Sequence, residues 1–337
     1  MNVVAAQLAA RYAELDLDQF GIGQRPSCVM ITPRFGASRH IVVLVLAQDD
    51  GRPVLVAKLP RLAGDGAALA TEAAGLADVQ RALGETSSVP RLVAFVADQP
   101  HPLLVETAVE GTPVSPAALA RDLEGNVEAA VAWLERLART SGRPASPTDD
   151  EQRFDRLVEE PLLALAITAG AGLEPGDLVP RTLEALAPLR GAQLPLVLEH
   201  GDTSHPNLLR RPFGDLGVVD WELADHDGLP GHDLCFFLVY AASAARRGGH
   251  SGERRLKEAF FGADAWTWPW WRRYLGSAEI DPALGGRLWL AACARAVAVQ
   301  AGRTGGAPGA AGVRQFPLWR HAIDHLDELD HHGGNTR

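Results

Sequence analysis

The chain has 337 residues, of which 47% are hydrophobic and 22% are charged, and its formal net charge is −10. A chain of this length and composition can build the packed cores of two or three domains. The negative charge argues against nonspecific binding of nucleic acid, which needs a basic face, so no nucleic-acid partner is expected.

The cysteines and the first residues of the chain bear on the cell compartment. Cys28, Cys235 and Cys293 lie far apart without a metal-binding spacing, as expected for reduced thiols. Residues 1–10 lack the basic start and the long apolar run of a secretory signal. The most apolar stretch, 288–301, contains Arg295 and is too short to span a membrane. We therefore expect a cytoplasmic protein without a membrane partner.

The first 108 residues predict a strand-rich unit that contains one helix. Asp49-Asp50-Gly51 marks a hairpin turn, and Gly84 follows a segment of helical composition, 67–83. Apolar and β-branched residues predict five strands, at 28–32, 40–47, 53–59, 92–97 and 103–108.

The rest of the chain predicts mostly helices. Apolar residues recur at helical spacing from Pro116 to Thr140. Further helices are predicted at about 150–169, 181–189, 231–247, 253–261, 283–302 and 315–330. Short strands are predicted at 194–198 and 216–219, and residues 331–337 are expected to form a flexible tail.

The segment from His200 to Asn207, with the sequence HGDTSHPN, carries the strongest chemical signal. Asn207 follows Asp202 by five residues, which is the spacing of the catalytic loop of protein kinases. A carboxylate such as Asp202 can hold a substrate hydroxyl for in-line attack and take its proton late. The amide oxygen of Asn207 and the carboxylate of Asp220, after a short apolar strand, are hard ligands that suit magnesium. The pattern therefore indicates phosphoryl transfer.

The same residues allow a second interpretation. His200, Asp202, His205 and Asp220 could bind two metal ions in a metal-dependent phosphohydrolase. A further alternative is a catalytically inactive nucleotide-binding module, although the presence of Asp202, Asn207 and Asp220 argues against it.

The order of these motifs resembles that of the aminoglycoside phosphotransferase family, the antibiotic and small-molecule branch of the protein-kinase-like fold, over about residues 28–300. The resemblance implies an α+β, protein-kinase-like two-lobe fold. Residues 1–108 would form a small β-rich N-lobe, and 109–330 a larger, mostly helical C-lobe, with the nucleotide between them. Asp202 would then be the catalytic residue, and Asn207 and Asp220 would hold Mg²⁺.

The resemblance also covers the nucleotide side of the reaction. Lys58, which ends the sequence VLVAK, is close to the kinase V-A-I-K signature on the third strand, so its ammonium would reach the α- and β-phosphates and pair with Glu72. Ser38, in the loop 34–39, would contact a phosphate. The Glu106 carbonyl and the Ala108 amide would bond to the base. These residues are left unexplained by the hydrolase alternative.

The family resemblance leads to an expected activity. We expect an enzyme that moves the γ-phosphate of ATP or GTP, with Mg²⁺, to a hydroxyl of a small molecule. An antibiotic or secondary metabolite is the first candidate acceptor, and a sugar or an amino alcohol is the second. Only thirteen positions separate Asp220 from Asp233, too few for a long phosphorylated activation loop. Asp233 resembles a structural aspartate that supports the catalytic loop, and the protein is expected to be a monomer or a homodimer.

Three further clusters each have two interpretations. The tryptophans at 266, 268, 270 and 271 could pack between helices or line an acceptor pocket. His321, His325, His331 and His332 could bind a metal, but the acidic residues between them favour a solvated helix face. Glu222, Asp225 and Asp227 could meet a cationic acceptor or be exposed loop acids.

Overall fold

The computed structural model describes residues 3–31, 40–62, 66–97, 102–168, 176–212, 214–245, 252–303 and 312–334. The chain divides into two compact units. Unit 1 comprises Met1–Gly111 and Gly217–Ala224, and unit 2 comprises Thr112–Leu216 and Asp225–Arg337. The first division thus lies three residues beyond the predicted boundary at 108, and the segment that contains Asp220 belongs to unit 1.

Unit 1 is built on a five-stranded antiparallel sheet. Its elements in chain order are α1 (Val3–Ala10), β1 (Ser27–Ile31), β2 (His40–Leu46), β3 (Pro53–Pro60), α2 (Ala67–Leu83), β4 (Leu92–Val96) and β5 (Leu103–Thr107). The strand order is β1-β2-β3-β5-β4, and each neighbouring pair is antiparallel.

The two faces of this sheet have different roles. Successive side chains of a strand point to opposite faces, and the buried core takes one set: Val43, Val45, Leu55, Ala57, Leu59, Leu103 and Val105. Lys58 on β3 is paired with Leu104 on β5, and Val56 is paired with Glu106. Lys58 and Glu106 therefore share the opposite face. That face also lies toward α2, where a Cβ added at Gly75 would come within 2.5 Å of Ala224.

Unit 2 is mostly helical. The remaining elements are β6 (Thr112–Pro113), α3 (Pro116–Arg121), α4 (Leu123–Ser141), α5 (Pro147–Phe154), α6 (Glu160–Thr168), α7 (Leu178–Leu186), β7 (Val197–Glu199), β8 (Leu208–Arg210), β9 (Leu216–Val218), β10 (Asp225–Gly228), α8 (His232–Ala244), α9 (Gly252–Phe260), α10 (Trp268–Ser277), α11 (Gly285–Arg303), α12 (Gly312–Asp324) and α13 (Leu326–Gly334). β9 begins in unit 2 and ends in unit 1. In unit 2, β6 pairs with β8 and β7 pairs with β10, both antiparallel.

Several element boundaries differ from the sequence predictions. The helix predicted from Pro116 to Thr140 is two helices, because the Asp122 side chain accepts the Gly125 amide and caps a new helix, α4. The structure also contains α10, which the sequence did not predict. α13 continues to Gly334 and buries Gly333, so residues 331–334 of the expected tail are helical in the structure. Residues 335–337 lie outside the described residues.

The composition of the helices agrees with a packed protein interior. α11 lies at the centre of unit 2, with Leu288, Trp289 and Leu290 fully buried.

Within the described part of the chain, no helix is both long enough and apolar enough to cross a membrane. The three cysteines are free thiols. The mixed composition of strands and helices confirms the predicted α+β class.

Candidate active site

Unit 1 surrounds one buried ammonium with three carboxylates. The Lys58 side chain is 6% exposed, and its Nζ forms an ion pair with Glu72. The same Nζ donates a hydrogen bond to Asp220 Oδ1 at 3.0 Å and lies 3.5 Å from Glu106 Oε1. β3, α2 and β5 position the first three residues, and the segment after β9 brings Asp220 to them. The structure thus contains the Lys58–Glu72 pair that the sequence predicted.

The backbone around Asp220 is held in an unusual conformation. Asp220 has a φ of 72°, in the left-handed region that only glycine, asparagine and aspartate adopt at all often. The next amide, of Trp221, donates to Glu72 Oε1 at 3.2 Å, and the Trp221 indole donates to the Val218 carbonyl at 3.2 Å. The Asp220 side chain is 38% exposed. The fold therefore fixes Asp220 between a buried ion pair and solvent, where its carboxylate can meet a metal ion.

The charges in this cluster shift one another's titration. Burial opposes the charged form of Lys58, but Asp220, Glu106 and Glu72 outweigh burial and hold the Lys58 pKa well above its usual range. Burial raises the pKa of Glu72 despite the neighbouring ammonium. Burial also raises the pKa of Glu106 to about 8, against the opposing effect of Lys58. Burial therefore favours the protonated form of Glu106.

Glu106 and Ala108 make contacts in the structure that the sequence did not suggest. The prediction assigned a backbone carbonyl to Glu106, whereas its side chain is the part that reaches Lys58. The Ala108 amide donates to the Val54 carbonyl at 2.9 Å. This N–H is therefore bonded within the sheet, and the assignment of the Glu106 carbonyl and the Ala108 amide to the base stays a prediction. Ser38 and the loop 34–39 lie outside the described residues.

In unit 2, the loop from His200 to Asn207 is fastened to the start of α8. Asp233 Oδ2 accepts the His200 amide at 2.7 Å, and Asp233 Oδ1 accepts the Gly201 amide at 2.9 Å. The Thr203 hydroxyl donates to the Asp233 carbonyl at 2.6 Å. These three bonds fix the backbone on both sides of Asp202.

Bonds within the loop orient its functional side chains. The Ser204 hydroxyl donates to Asp202 Oδ1 at 2.7 Å, and the Asp202 amide donates to His200 Nδ1 at 3.2 Å. Asn207 Nδ2 donates to the Asp202 carbonyl at 3.0 Å, which turns the Asn207 amide oxygen away from that carbonyl. Ser204 was not recognised in the sequence, although a hydroxyl two residues after an aspartate often bonds to it locally.

A buried ion pair lies beneath this loop. Glu199 Oε2, at the end of β7, accepts from Arg295 of α11 at 2.7 Å and from the Leu229 amide at 3.0 Å. Burial raises the Glu199 pKa, but Arg295 outweighs burial and the net effect is a lowered pKa. Burial, with the charge of Glu199, raises the Asp233 pKa to about 7. Burial and Arg295 lower the His232 pKa to about 4, so His232 is neutral.

Two of the four clustered tryptophans have structural roles. Trp268 and Trp271 are each 1% exposed. Their indole N–H groups donate to the Phe260 carbonyl at 2.7 Å and to the Gly285 carbonyl at 3.1 Å. These two residues therefore join α10 to its neighbours in the core.

The acidic residues after Asp220 have basic side chains as partners inside their own units. Glu222 Oε2 lies 3.2 Å from His40 Nδ1. Asp225 is paired with Arg156 and Asp227 with Arg143. Because these acids already have basic partners, they do not fit the interpretation of unpaired acids that bind a cationic acceptor.

The donor atoms fit magnesium better than the two-metal alternative. Asp220 and Asn207 offer a carboxylate and an amide oxygen, the hard ligands that magnesium prefers. His200 Nδ1 already accepts the Asp202 amide, which conflicts with a role as metal ligand through that atom. In the part of the chain that the structure describes, no three His, Cys, Asp or Glu side chains are grouped to hold a metal. The histidines near the C-terminus give no such group either, and His325 Nδ1 bonds instead to the His321 carbonyl at 2.9 Å.

Comparison with solved structures gives the fold. A thermostable mutant of aminoglycoside phosphotransferase APH(4)-Ia, in a ternary complex with AMP-PNP and hygromycin B, matches with a TM-score of 0.52 at 13% identity, over 97% of this chain and 99% of that one. APH(2")-IIa in a ternary complex with streptomycin and ATP matches with a TM-score of 0.51 at 12% identity, over 97% and 98% of the two chains. A putative fructosamine-3-kinase from Haemophilus somnus 129PT matches with a TM-score of 0.52 at 12% identity, over 96% and 100%.

The family follows from the sequence. No curated protein matches the chain in sequence. The model of the APH family, described as a phosphotransferase enzyme family, matches residues 36–274, which is more than half of the chain. The matched range includes the Lys58 cluster and the loop around Asp202. The protein is therefore a phosphotransferase that belongs to the APH phosphotransferase enzyme family.

Proposed function

We propose that the protein transfers the γ-phosphate of ATP or GTP, with Mg²⁺, to a hydroxyl group of a small molecule. The observation that carries this proposal is the geometry of the catalytic loop. Asn207 donates to the Asp202 carbonyl, and two backbone amides of the loop donate to Asp233. A carboxylate held in this way can orient an alcohol and accept its proton. We further propose that the protein acts in the cytoplasm as a monomer or a homodimer.

The side chains of the catalytic loop and of the Lys58 cluster divide the work of binding the nucleotide and activating the acceptor. Lys58, held by Glu72, binds phosphate oxygens of the nucleotide. Asp220 and Asn207 provide the oxygen ligands for Mg²⁺, which when bound neutralises charge on the phosphates. Asp202 accepts the proton of the attacking hydroxyl, and Ser204 fixes the orientation of that carboxylate.

The structures of similar fold determine the order in which acceptor classes are tested. Two structures of similar fold contain hygromycin B and streptomycin, so aminoglycosides come first. The putative fructosamine-3-kinase makes a sugar or an amino alcohol the second class. The net charge of −10 favours the encounter with a cationic acceptor over an anionic one.

The test is a panel of antibiotics, sugars and amino alcohols incubated with the protein, magnesium, and either ATP or GTP. The expected result is an acceptor whose mass increases by one phosphate, with one nucleotide consumed for each product. The Asp202→Ala variant serves as the control and should give no product. Release of inorganic phosphate from phosphomonoesters, with no acceptor gaining mass, would instead support the hydrolase alternative.

A further inference from the structure

Glu106 is a buried carboxyl group at the nucleotide side of unit 1 with one oxygen that the protein leaves without a partner. The residue is 2% exposed. Its Oε1 lies 3.5 Å from Lys58 Nζ, whereas Oε2 has no hydrogen-bond partner among the described residues. A buried polar atom without a partner costs about 1–3 kcal/mol. Such an atom within a binding site indicates a ligand that satisfies it.

The position of Glu106 in the sheet places its side chain beside Lys58. The register of β3 and β5 puts Glu106 on the same face as Lys58. Glu106 also directly precedes the end of β5 and the segment 108–111 that closes the first part of unit 1. It therefore lies between the ammonium that would bind phosphates and the chain segment next to which the base would bind.

The partners of Glu72 show why Glu106 is the more available carboxyl. Glu72 also has an Oε2 without a partner, but its Oε1 holds both Lys58 and the Trp221 amide. Glu106 has only the longer contact to Lys58. An ammonium has three donors, and three carboxyl groups surround the Lys58 ammonium. A nucleotide that binds Lys58 must displace one of these contacts, and the longest contact is the one to Glu106.

We propose that Glu106 is a nucleotide-binding residue whose Oε2 donates a hydrogen bond to an acceptor atom of the bound nucleotide. This inference rests on the proposed function, since it requires a nucleotide next to Lys58. The acceptor is a ring nitrogen or oxygen of the base or an oxygen of the phosphates, and the ligands used below distinguish the two.

The protonation of Glu106 supports a donor role. Burial raises the Glu106 pKa to about 8, which favours the protonated carboxyl group that a donor needs. The ionisable groups around it are Lys58 on β3, Glu72 on α2 and Asp220 after β9, and β4 contributes none. Lys58 stays charged throughout, because its pKa lies well above the usual range.

Two substitutions separate this role from that of a mere counter-ion for Lys58. Glu106→Gln keeps the shape and offers an N–H donor at every pH, while Glu106→Met fills a similar space without a donor. If Glu106 only balanced the charge of Lys58, either change would leave the binding of an anionic nucleotide as tight as before or make it tighter. If Glu106 donates a hydrogen bond to the nucleotide, Glu106→Met removes that bond and weakens binding.

The experiment is calorimetric titration of the full chain with Mg·ADP and Mg·GDP. At about pH 7, Glu106→Gln should bind within about threefold of the unchanged protein, and Glu106→Met about tenfold more weakly, as expected for the loss of one hydrogen bond. Above about pH 8 the unchanged protein should lose affinity, by up to about tenfold per pH unit, because an ionised carboxylate cannot donate. Glu106→Gln should not lose affinity. Glu85→Gln, which removes an exposed carboxylate in the same unit, should behave as the unchanged protein.

Titrations with adenosine, guanosine and magnesium pyrophosphate locate the acceptor atom. A weaker affinity of Glu106→Met for a nucleoside places the contact on the base, and a weaker affinity for pyrophosphate alone places it on the phosphates. Thermal unfolding of each variant verifies that it is folded, and Glu106→Gln keeps the test valid if Glu106→Met does not fold.

Two results would overturn the inference while leaving the proposed function intact. They are unweakened binding of nucleotide by Glu106→Met, and a pH profile of Glu106→Gln that falls in parallel with that of the unchanged protein. By contrast, the absence of nucleotide binding by the unchanged protein would overturn the proposed function together with the inference.

Discussion

Asp202 is the single residue on which the proposed chemistry depends most directly. We predict that Asp202→Ala lowers kcat by a factor of about 10² to 10⁴, the usual contribution of a general base. Nucleotide affinity should stay nearly unchanged, because the contacts of Lys58 are made by Glu72, Glu106 and Asp220 in unit 1. Initial rates with an identified acceptor and calorimetric titration with Mg-nucleotide measure the two effects.

The control for this prediction is Ser204→Ala, which removes the hydrogen bond to Asp202 Oδ1 and keeps the carboxylate. A hydrogen bond of this kind contributes about 1 kcal/mol, so kcat should fall only several-fold. Turnover by Asp202→Ala at a rate near that of the unchanged protein would show that another group accepts the proton.

Contacts of individual residues could be predicted where a sequence motif implies them, and not where the strand register decides them. The pairing of Lys58 with Glu72 could be expected, because VLVAK resembles the kinase V-A-I-K signature and the resemblance implies a glutamate partner in the next helix. The role of the Glu106 side chain could not, because it depends on which face of β5 meets Lys58, and the strand register decides that. For the same reason the sequence did not show that the Ala108 amide donates a hydrogen bond to the Val54 carbonyl.

Among the elements, α8 has a direct effect on the catalytic loop through its first turn. Asp233 accepts two loop amides with its two oxygens, and burial raises its pKa to about 7. Protonation would turn one oxygen from an acceptor into a donor that faces an N–H group. We therefore predict that kcat falls as the pH drops below about 7, and that Asp233→Asn has a low kcat without this pH dependence.

The effect of Asp233 on stability has the opposite sign, which provides a check. Its pKa in the fold is raised above the ordinary value of 3.8, so its contribution to stability is present below about pH 4 and is lost as the pH rises toward about 7. The thermal midpoint of the unchanged protein should decrease over this range relative to that of Asp233→Asn. Parallel midpoints, together with a kcat independent of pH, would contradict the assignment.

The elements differ in how well the sequence determined them. The bounds of α2 were predicted correctly at 67–83, because Gly84 ends a run of good helix formers. α10 was missed because its sequence, WPWWRRYLGS, has weak helix propensity. Its stability comes from tertiary contacts, since two of its indoles donate to carbonyls outside the helix, those of Phe260 and Gly285. Such contacts are not visible in a sequence.

For the molecule as a whole, the sequence predicted a β-rich unit followed by a helical one, and the structure agrees with this order. It did not predict that 217–224 returns to unit 1. That return depends on the bond from the Trp221 amide to Glu72 and on the close packing of Gly75 against Ala224, which join positions about 150 residues apart in the chain. The same return places Asp220 beside Lys58.

The metal requirement of the whole enzyme distinguishes the two reaction classes that the sequence left open. We predict that activity removed by a chelator is restored by magnesium and not by zinc. The oxygens of Asp220 and Asn207 suit magnesium, whereas zinc favours histidine and cysteine ligands, and His200 Nδ1 is already bonded to the Asp202 amide. Phosphate transfer to the acceptor is measured after each metal is added back. Asp220→Asn keeps the shape but removes the charge, so it should need more magnesium for half-maximal activity. A strict requirement for zinc, with hydrolysis in the absence of an acceptor, would favour the phosphohydrolase.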